Sequence, residues 1–376
     1  MPTHMNEFSA LGLAAPLLAA LGRSGYETPT PIQTQAIPHV MRGADLLGIA
    51  QTGTGKTAAF ALPILHRLLE NPRRPAPGTC RVLVLAPTRE LASQITESFR
   101  TYGRNTNIRA TVIFGGVPKG KQIHALARGI EVVVATPGRL LDLFAGGFIR
   151  LDQTEILVLD EADHMLDLGF VIPIRRIARE LPVQRQSLFF SATMPKEIAG
   201  LAAALLRNPQ RVAVIPEATT VDRVEQSVMF VPQSEKRAVL ARVLRSKATG
   251  RTLVFARTKH GADRIVQHLA ATGLNANAIH GNKSQGQRER ALSDFRTGQV
   301  PVLIATDIAA RGIDVDGVTH VINYDLPDVP EAYVHRIGRT ARAGAAGTAI
   351  SLCDDAERGA LKGIERLIRL RLPVAA

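Results

Sequence analysis

Tryptophan is absent from the 376 residues, and only four tyrosines and twelve phenylalanines occur. Base stacking on aromatic platforms is therefore not expected to dominate any contact with nucleic acid. Cysteine is almost absent too, with Cys80 and Cys353 each at the edge of an apolar run in opposite halves of the chain. Two such residues make neither a disulfide framework nor a metal-ligand set, and they read as buried thiols of a reducing compartment. No stretch reaches 18 uninterrupted apolar residues, so no transmembrane helix and no membrane partner is expected. The stretch Leu11 to Leu21 has the look of a signal core. No Lys or Arg precedes it, however, and Pro16 interrupts it, so a short helix is predicted, with Met5 an alternative chain start. There is also no run of five basic residues, although the net charge is +13. Dispersed charge of that size means a broad positive surface suited to a polyanion, held through phosphate and sugar.

The chain is long enough for two domains of about 150 to 200 residues. Apolar runs at Leu46 to Ala50, Val82 to Ala86, Val132 to Ala135, Ile156 to Leu159 and Leu188 to Phe190 alternate with helical patterns in the first half. Leu253 to Ala256, Val302 to Ala305, His320 to Asn323 and Thr348 to Leu352 do the same in the second. Such alternation is the signature of βα units building parallel sheets with helices on both faces. The weakest stretch, Asn208 to Arg223 with Pro209 and Pro216, suggests a first domain over 1–210, a linker over 211–223 and a second domain over 224–376.

After the first run comes Ala50-Gln51-Thr52-Gly53-Thr54-Gly55-Lys56-Thr57, a P-loop with Ala50 where the first glycine usually stands. Its glycines let backbone N–H groups converge on phosphate, Lys56 neutralises the β and γ phosphates, and the Thr57 hydroxyl can ligate Mg²⁺. Further along, Ile156 to Leu159 ends in Asp160, Glu161, Ala162 and Asp163. Carboxylates this close repel one another, so a cation or proton is expected among them. Asp160 is expected to hold Mg²⁺ and Glu161 to orient and deprotonate an attacking water. P-loop and acidic cluster together predict an NTP-hydrolysing site.

Asp160-Glu161-Ala162-Asp163 spells the name of the DEAD-box RNA helicases, and the chain resembles that family over nearly its whole length. The resemblance implies two tandem RecA-like α/β domains. Gly25 to Gln33 looks like the Q motif, with Phe8 as its isolated upstream aromatic, Gln33 selecting adenine and Tyr26 stacking on the base. Pro87-Thr88-Arg89-Glu90-Leu91, Gly115-Gly116 and Thr136-Pro137-Gly138-Arg139 resemble segments that grip an RNA backbone. Ser191-Ala192-Thr193 resembles the coupling motif, expected to act with Asp163 and His335. In the second half, Val254 to Thr258, Gln285 to Arg288 and Ala305 to Asp314 look like family segments, with Arg288 and Thr306 facing RNA and Asp314 the ATP ribose. His335 to Arg342 then supplies Arg339 and Arg342, which look like arginine fingers on one face of a helix, with Ala341 where the family usually has glycine.

These features imply a cytoplasmic bacterial enzyme with ATP and Mg²⁺ as cofactors. It would bind single-stranded and short duplex RNA without sequence preference across an interdomain cleft, and unwind locally and non-processively. Ribosome-assembly or RNA-degradation complexes are the implied wider partners. An ATP-gated RNA clamp or annealing scaffold, and a related helicase acting on DNA, are the alternatives. Val254 to Asp263 and Ile364 to Pro373 look most like the RhlE-type subgroup. Many of its members carry a basic tail, and none follows here before Ala376, so a minimal core or a truncated chain is expected.

Overall fold

The computed structural model describes residues 7–51, 53–214, 224–246, 250–310, 315, 317–341 and 346–375. The chain divides into two compact units, Met1–Ile215 and Pro216–Ala376. In the first, β1 (Leu46–Ile49), β2 (Cys80–Leu85), β3 (Ala110–Ile113), β4 (Ile130–Ala135), β5 (Ile156–Leu159), β6 (Gln186–Ser191) and β7 (Gln210–Ala213) form a seven-stranded sheet in the order β3-β4-β2-β5-β6-β1-β7. Every pairing is parallel. Successive side chains of a strand point to opposite faces, so Val82, Val84, Val158 and Phe190 enter one core while Leu83, Leu85, Leu159 and Phe189 enter the other. Burial on both faces is why these strands read as continuous apolar runs.

Asp45, just before β1, is a buried carboxylate that sequence patterning did not single out. It accepts from the Ser187 N–H at 2.7 Å and the Arg207 N–H at 2.7 Å, tying the start of β1 to its neighbours. β7 then pairs with β1 from Gln210 to Ala213. The stretch 211–223, expected to be linker, therefore gives its first residues to the sheet, and 215–223 lie outside the described residues. The expected short helix near the start spans Ala15–Arg23, with Pro16 in its first turn, where a missing N–H costs nothing.

The second unit holds a six-stranded sheet of β8 (Val224–Phe230), β9 (Arg251–Phe255), β10 (Ala276–Ile279), β11 (Val302–Ala305), β12 (Val318–Asn323) and β13 (Gly347–Cys353), in the order β10-β11-β9-β12-β13-β8 and again wholly parallel. Lys236 is fully buried below it, its ammonium 2.5 Å from Glu357, 3.3 Å from Asp354 and 3.8 Å from Asp325. Arg257 donates to the same Glu357 at 2.8 Å. Burying charge is tolerated only with partners of this quality. Both cysteines are buried and free, and burial pushes the Cys80 thiol up to about 12 and the Cys353 thiol up to about 11.

One sequence expectation fails here. The helix Pro330–Ile337 stops at its cap, Gly338, so Arg339 lies in the turn that follows and not on a helix, and Arg342 is outside the described residues. Ala341 adopts φ 54, the left-handed region that costs an L-residue roughly 1–2 kcal/mol. That is a physical reason for glycine at this position, which the sequence spacing places on a helix. Ala341→Gly should raise the stability of this unit by roughly 0.5–1 kcal/mol, strain relief offsetting the added freedom of the unfolded chain. A chemical-denaturation midpoint that stays put or falls would contradict the strain.

Candidate active site

Parallel strands deliver all their carboxyl-terminal loops to one edge, where crevices form. In the first unit the strand order sets the loops side by side. Gly115-Gly116 lies just beyond β3, Thr136 follows β4, Pro87 to Leu91 comes after β2, Asp160 follows β5, Ala192-Thr193 follows β6 and the P-loop follows β1. The segments expected to face RNA occupy one half of the edge and those expected to face nucleotide the other.

The P-loop turns on Gly53 at φ 82 and Gly55 at φ 93. Ala50 donates its N–H to the Ser191 carbonyl at 3.1 Å, and the Thr54 hydroxyl bonds the Gln51 carbonyl at 2.7 Å. Gln33 is buried against this loop, its amide donating to the Gly55 carbonyl at 3.1 Å while its oxygen accepts from the Thr30 N–H at 2.9 Å. A Cβ on Gly55 would stand 2.3 Å from that amide nitrogen, so the glycine is required by packing as well as by φ. Among the described residues the bonds to Gly55 and Thr30 are the hydrogen bonds of the Gln33 side chain, each using one of its two N–H groups or one of its two carbonyl lone pairs. Lys56 opens the helix Lys56–Glu70 almost fully buried, and its ammonium has no hydrogen-bond partner among the described residues. Thr57 follows it, half-buried. Tyr26 is partly exposed and held edge-on by Tyr102, ring centroids 5.9 Å apart. Phe8, the isolated upstream aromatic, is fully buried in the first unit's core, where it anchors the entry segment and is closed off from a ligand.

Asp160 is buried, and burial pushes its carboxyl up to about 6, with the nearby Lys56 charge pulling the other way and Glu161 and Asp163 adding to the rise. Its Oδ1 accepts from the Glu161 N–H at 3.0 Å. Glu161 sits at φ 52, ψ 54, a conformation non-glycine residues hold only when their surroundings enforce it. Its Oε2 lies 3.3 Å from Nδ1 of buried His164, a neighbour the sequence did not nominate. Asp163 turns toward β6: its Oδ2 accepts from both the N–H and the hydroxyl of Thr193 at 3.0 Å, and its own N–H donates to Ser191 Oγ at 3.2 Å. Ser191 in turn donates to the Thr193 carbonyl at 2.8 Å.

On the other half of the edge, Arg89 lies against the glycine pair, so that a Cβ on Gly116 would meet its guanidinium at 2.1 Å, whereas one on Gly115 would clear it at 3.9 Å. The Thr136 N–H bonds the Ile113 carbonyl at 2.9 Å. Arg139 donates to the Val117 carbonyl at 3.0 Å and pairs with Asp142 at 3.3 Å, leaving a buried Nη1 with no partner among the described residues. The five nominated residues thus form one neighbourhood.

In the second unit Thr306 follows β11, its carbonyl accepting from Ala309 and Ala310, and Arg288 stands in the first turn of the helix Gln285–Thr297. Arg339 is buried and donates to the His335 carbonyl at 3.2 Å. Thr52, Asp314 and Arg342 lie outside the described residues. The arginine that sequence reasoning missed is Arg336. It grips Asp307 through two 2.6 Å bonds, reaches Asn323 and the Asp325 carbonyl, and lies 4.9 Å over the Phe255 ring. Its signal was helical period: it shares the buried face of Tyr333 and Ile337.

Comparison with known proteins fits this geometry. The family described as DEAD/DEAH box helicase matches residues 30–201, and the helicase conserved C-terminal domain matches residues 235–344. The ATP-dependent RNA helicase CshA of Limosilactobacillus reuteri is 43% identical over 97% of this chain and 73% of its own length; CshA of Listeria monocytogenes is 42% identical over 98% and 70%. Among solved structures, S. cerevisiae Dbp5 bound to RNA and ADP BeF3 aligns with a TM-score of 0.87 at 34% identity, covering 98% of this chain and 95% of that one. Two family matches in chain order, and relatives this similar over almost the entire sequence, mean that the chain belongs to the DEAD-box helicases.

Proposed function

We propose that this ATP-dependent RNA helicase couples its two ligands through the shared carboxyl edge of the first sheet. The observation that carries the reading is the pairing of a buried ammonium at Lys56, which has no hydrogen-bond partner among the described residues, with a hydrogen-bonded bridge from Asp163 to Ser191 and Thr193 one strand away. An ammonium buried beside Asp160 with its hydrogen bonds unmade calls for a further anion, and the phosphate chain of ATP supplies one. Lys56 then stabilises the charge that moves onto the leaving and transferred phosphates. Glu161, held in its left-handed turn with His164 beside it, orients the attacking water and takes its proton. Asp160 and Thr57 have the hard oxygen donors that suit Mg²⁺, which would screen phosphate charge there. Arg339 acts on the same reaction, as the family resemblance implies.

Arg89, Gly115, Gly116, Thr136 and Arg139 offer guanidinium, hydroxyl and backbone donors and no base-reading pattern, so RNA is held by its backbone. The bridge to Thr193 gives the nucleotide side a physical route to the rest of the edge, and unwinding is local. Membership of the RhlE-type subgroup rests on Val254 to Asp263 and Ile364 to Pro373 alone; the relatives named above are CshA proteins. No helix among the described residues is long and apolar enough to cross a membrane.

Glu161→Gln should lower RNA-stimulated ATP turnover by roughly 10²–10⁴ while ATP-dependent RNA binding persists in a filter assay; unchanged turnover would remove Glu161 from its role. Asp160 must be ionised to hold a cation, and its carboxyl titrates near 6. Apparent affinity for Mg²⁺-ATP should therefore fall as pH drops from 7 to 5, more steeply than for Asp160→Asn in parallel calorimetry. Matched single strands decide the polymer: RNA should stimulate hydrolysis more than DNA, and the reverse order would favour the DNA-acting alternative.

A further inference from the structure

At the opposite edge of the first sheet, where strands begin, a cavity of about 710 Å³ opens between the end of the helix Lys56–Glu70, residues 72–74 and the starts of β2, β3 and β4. Arg73, Arg74, Arg81, Arg109 and Arg128 line it. Among the described residues that line the cavity or pair with its arginines, the carboxylates are Glu131, in the wall, and Glu155, paired to Arg73 and Arg81, so five guanidiniums face two carboxylates, an excess of three positive charges. Arginines on a merely solvated surface spread apart. Here they converge, and the convergence is built into the backbone.

The loop that carries Arg73 and Arg74 is stiffened by Pro72, Pro75 and Pro77. It is seated on Gly129, at φ 70, where a Cβ would come within 2.4 Å of the Ala76 carbonyl and 2.5 Å of the Pro75 carbonyl. Arg128 is the residue before that glycine, so this close approach is what brings Arg128 and Arg74 to one cavity. Arg81 is nearly inaccessible and fixed by Glu155 at 2.6 Å and the Asn71 carbonyl at 2.9 Å. Arg109 is fixed by Glu131 at 3.1 Å and the Gly129 carbonyl at 2.9 Å. Arg74 and Arg128 are exposed and form no ion pair among the described residues. Leu68, Leu69 and Ile108 supply an apolar floor.

We propose that this cavity is a second anion site, distinct from the P-loop, which takes a small polyphosphate such as that of a nucleoside polyphosphate. Guanidiniums recognise phosphate by paired N–H donors; Arg73 and Arg109, already oriented by partners, lose little freedom on binding, while Arg81 adds its charge from the wall. The volume lies within the roughly 300–1,000 Å³ of small-molecule sites and is a concavity, not the open groove an RNA strand needs. The strand length of β2 sets it about 20 Å from the catalytic edge, so its occupant does not compete for the P-loop.

The test is titration calorimetry on the full chain carrying Lys56→Ala, which silences the P-loop, with inorganic tripolyphosphate and GTP as separate probes. Both should bind, and Arg74→Ala with Arg128→Ala should weaken them at least tenfold. Tighter binding of GTP than of tripolyphosphate assigns the apolar floor to a nucleoside, and equal binding assigns the site to the phosphate chain alone. In the Lys56 background, circular dichroism of the double variant should match its parent, since both side chains are exposed. No binding of either probe overturns the proposal. So does binding that survives the double variant, or a cavity that binds a single-stranded RNA oligomer and neither small anion.

Discussion

Parallel hydrogen bonding between strands is the constraint on which this molecule depends. A parallel sheet sends every carboxyl end to the same edge, and the order β3-β4-β2-β5-β6-β1-β7 then decides which loops are neighbours. Because β5 and β6 are adjacent, Asp163 and Thr193, thirty positions apart in sequence, come within hydrogen-bond reach. Because β6 and β1 are adjacent, the P-loop begins with an N–H bonded to Ser191. The P-loop, the acidic cluster and the arginine- and glycine-bearing loops meet on one edge as a result of strand order, before any side chain adds specificity.

Buried charge sorts into two kinds. Lys236 is surrounded by three carboxylates and knits the ends of β12 and β13 to the helix Lys236–Ser246; losing one member would strand the others at a cost of roughly 3–5 kcal/mol. Lys56 is buried to nearly the same degree with no hydrogen-bond partner among the described residues. The first arrangement is a staple, complete as it stands. The second leaves its hydrogen bonds unmade among the described residues, and side-chain identity alone could not have told the two lysines apart.

What was legible in the sequence follows from burial. Both faces of a central strand are covered, so β2, β4, β5, β9 and β11 announce themselves as apolar runs. The four strands that patterning missed, β3, β7, β8 and β10, are the four sheet edges. Edge strands are half-exposed, and Gln210 to Ala213 buries only Val212. Such a stretch looks like loop or linker until its partner is known. The P-loop and acidic motifs were legible because phosphate chemistry dictates residue types at short spacing. His164 beside Glu161, Tyr102 against Tyr26 and Arg336 on Asp307 were not, since each is defined by a partner distant in sequence or by a helix turn. The arginine helix misled for a related reason: three-residue spacing suggests one face, but Gly338 ends the helix first.

The two thiols give the chain a practical property. Cys80 and Cys353 are sealed in separate units with acidities far above neutral pH, so almost none of either is thiolate in ordinary buffer. Maleimide dyes and mild oxidants should pass them by. A cysteine placed at an exposed position in either unit would then be the dominant reactive thiol, so each unit can be labelled at a chosen site without first removing native sulfur.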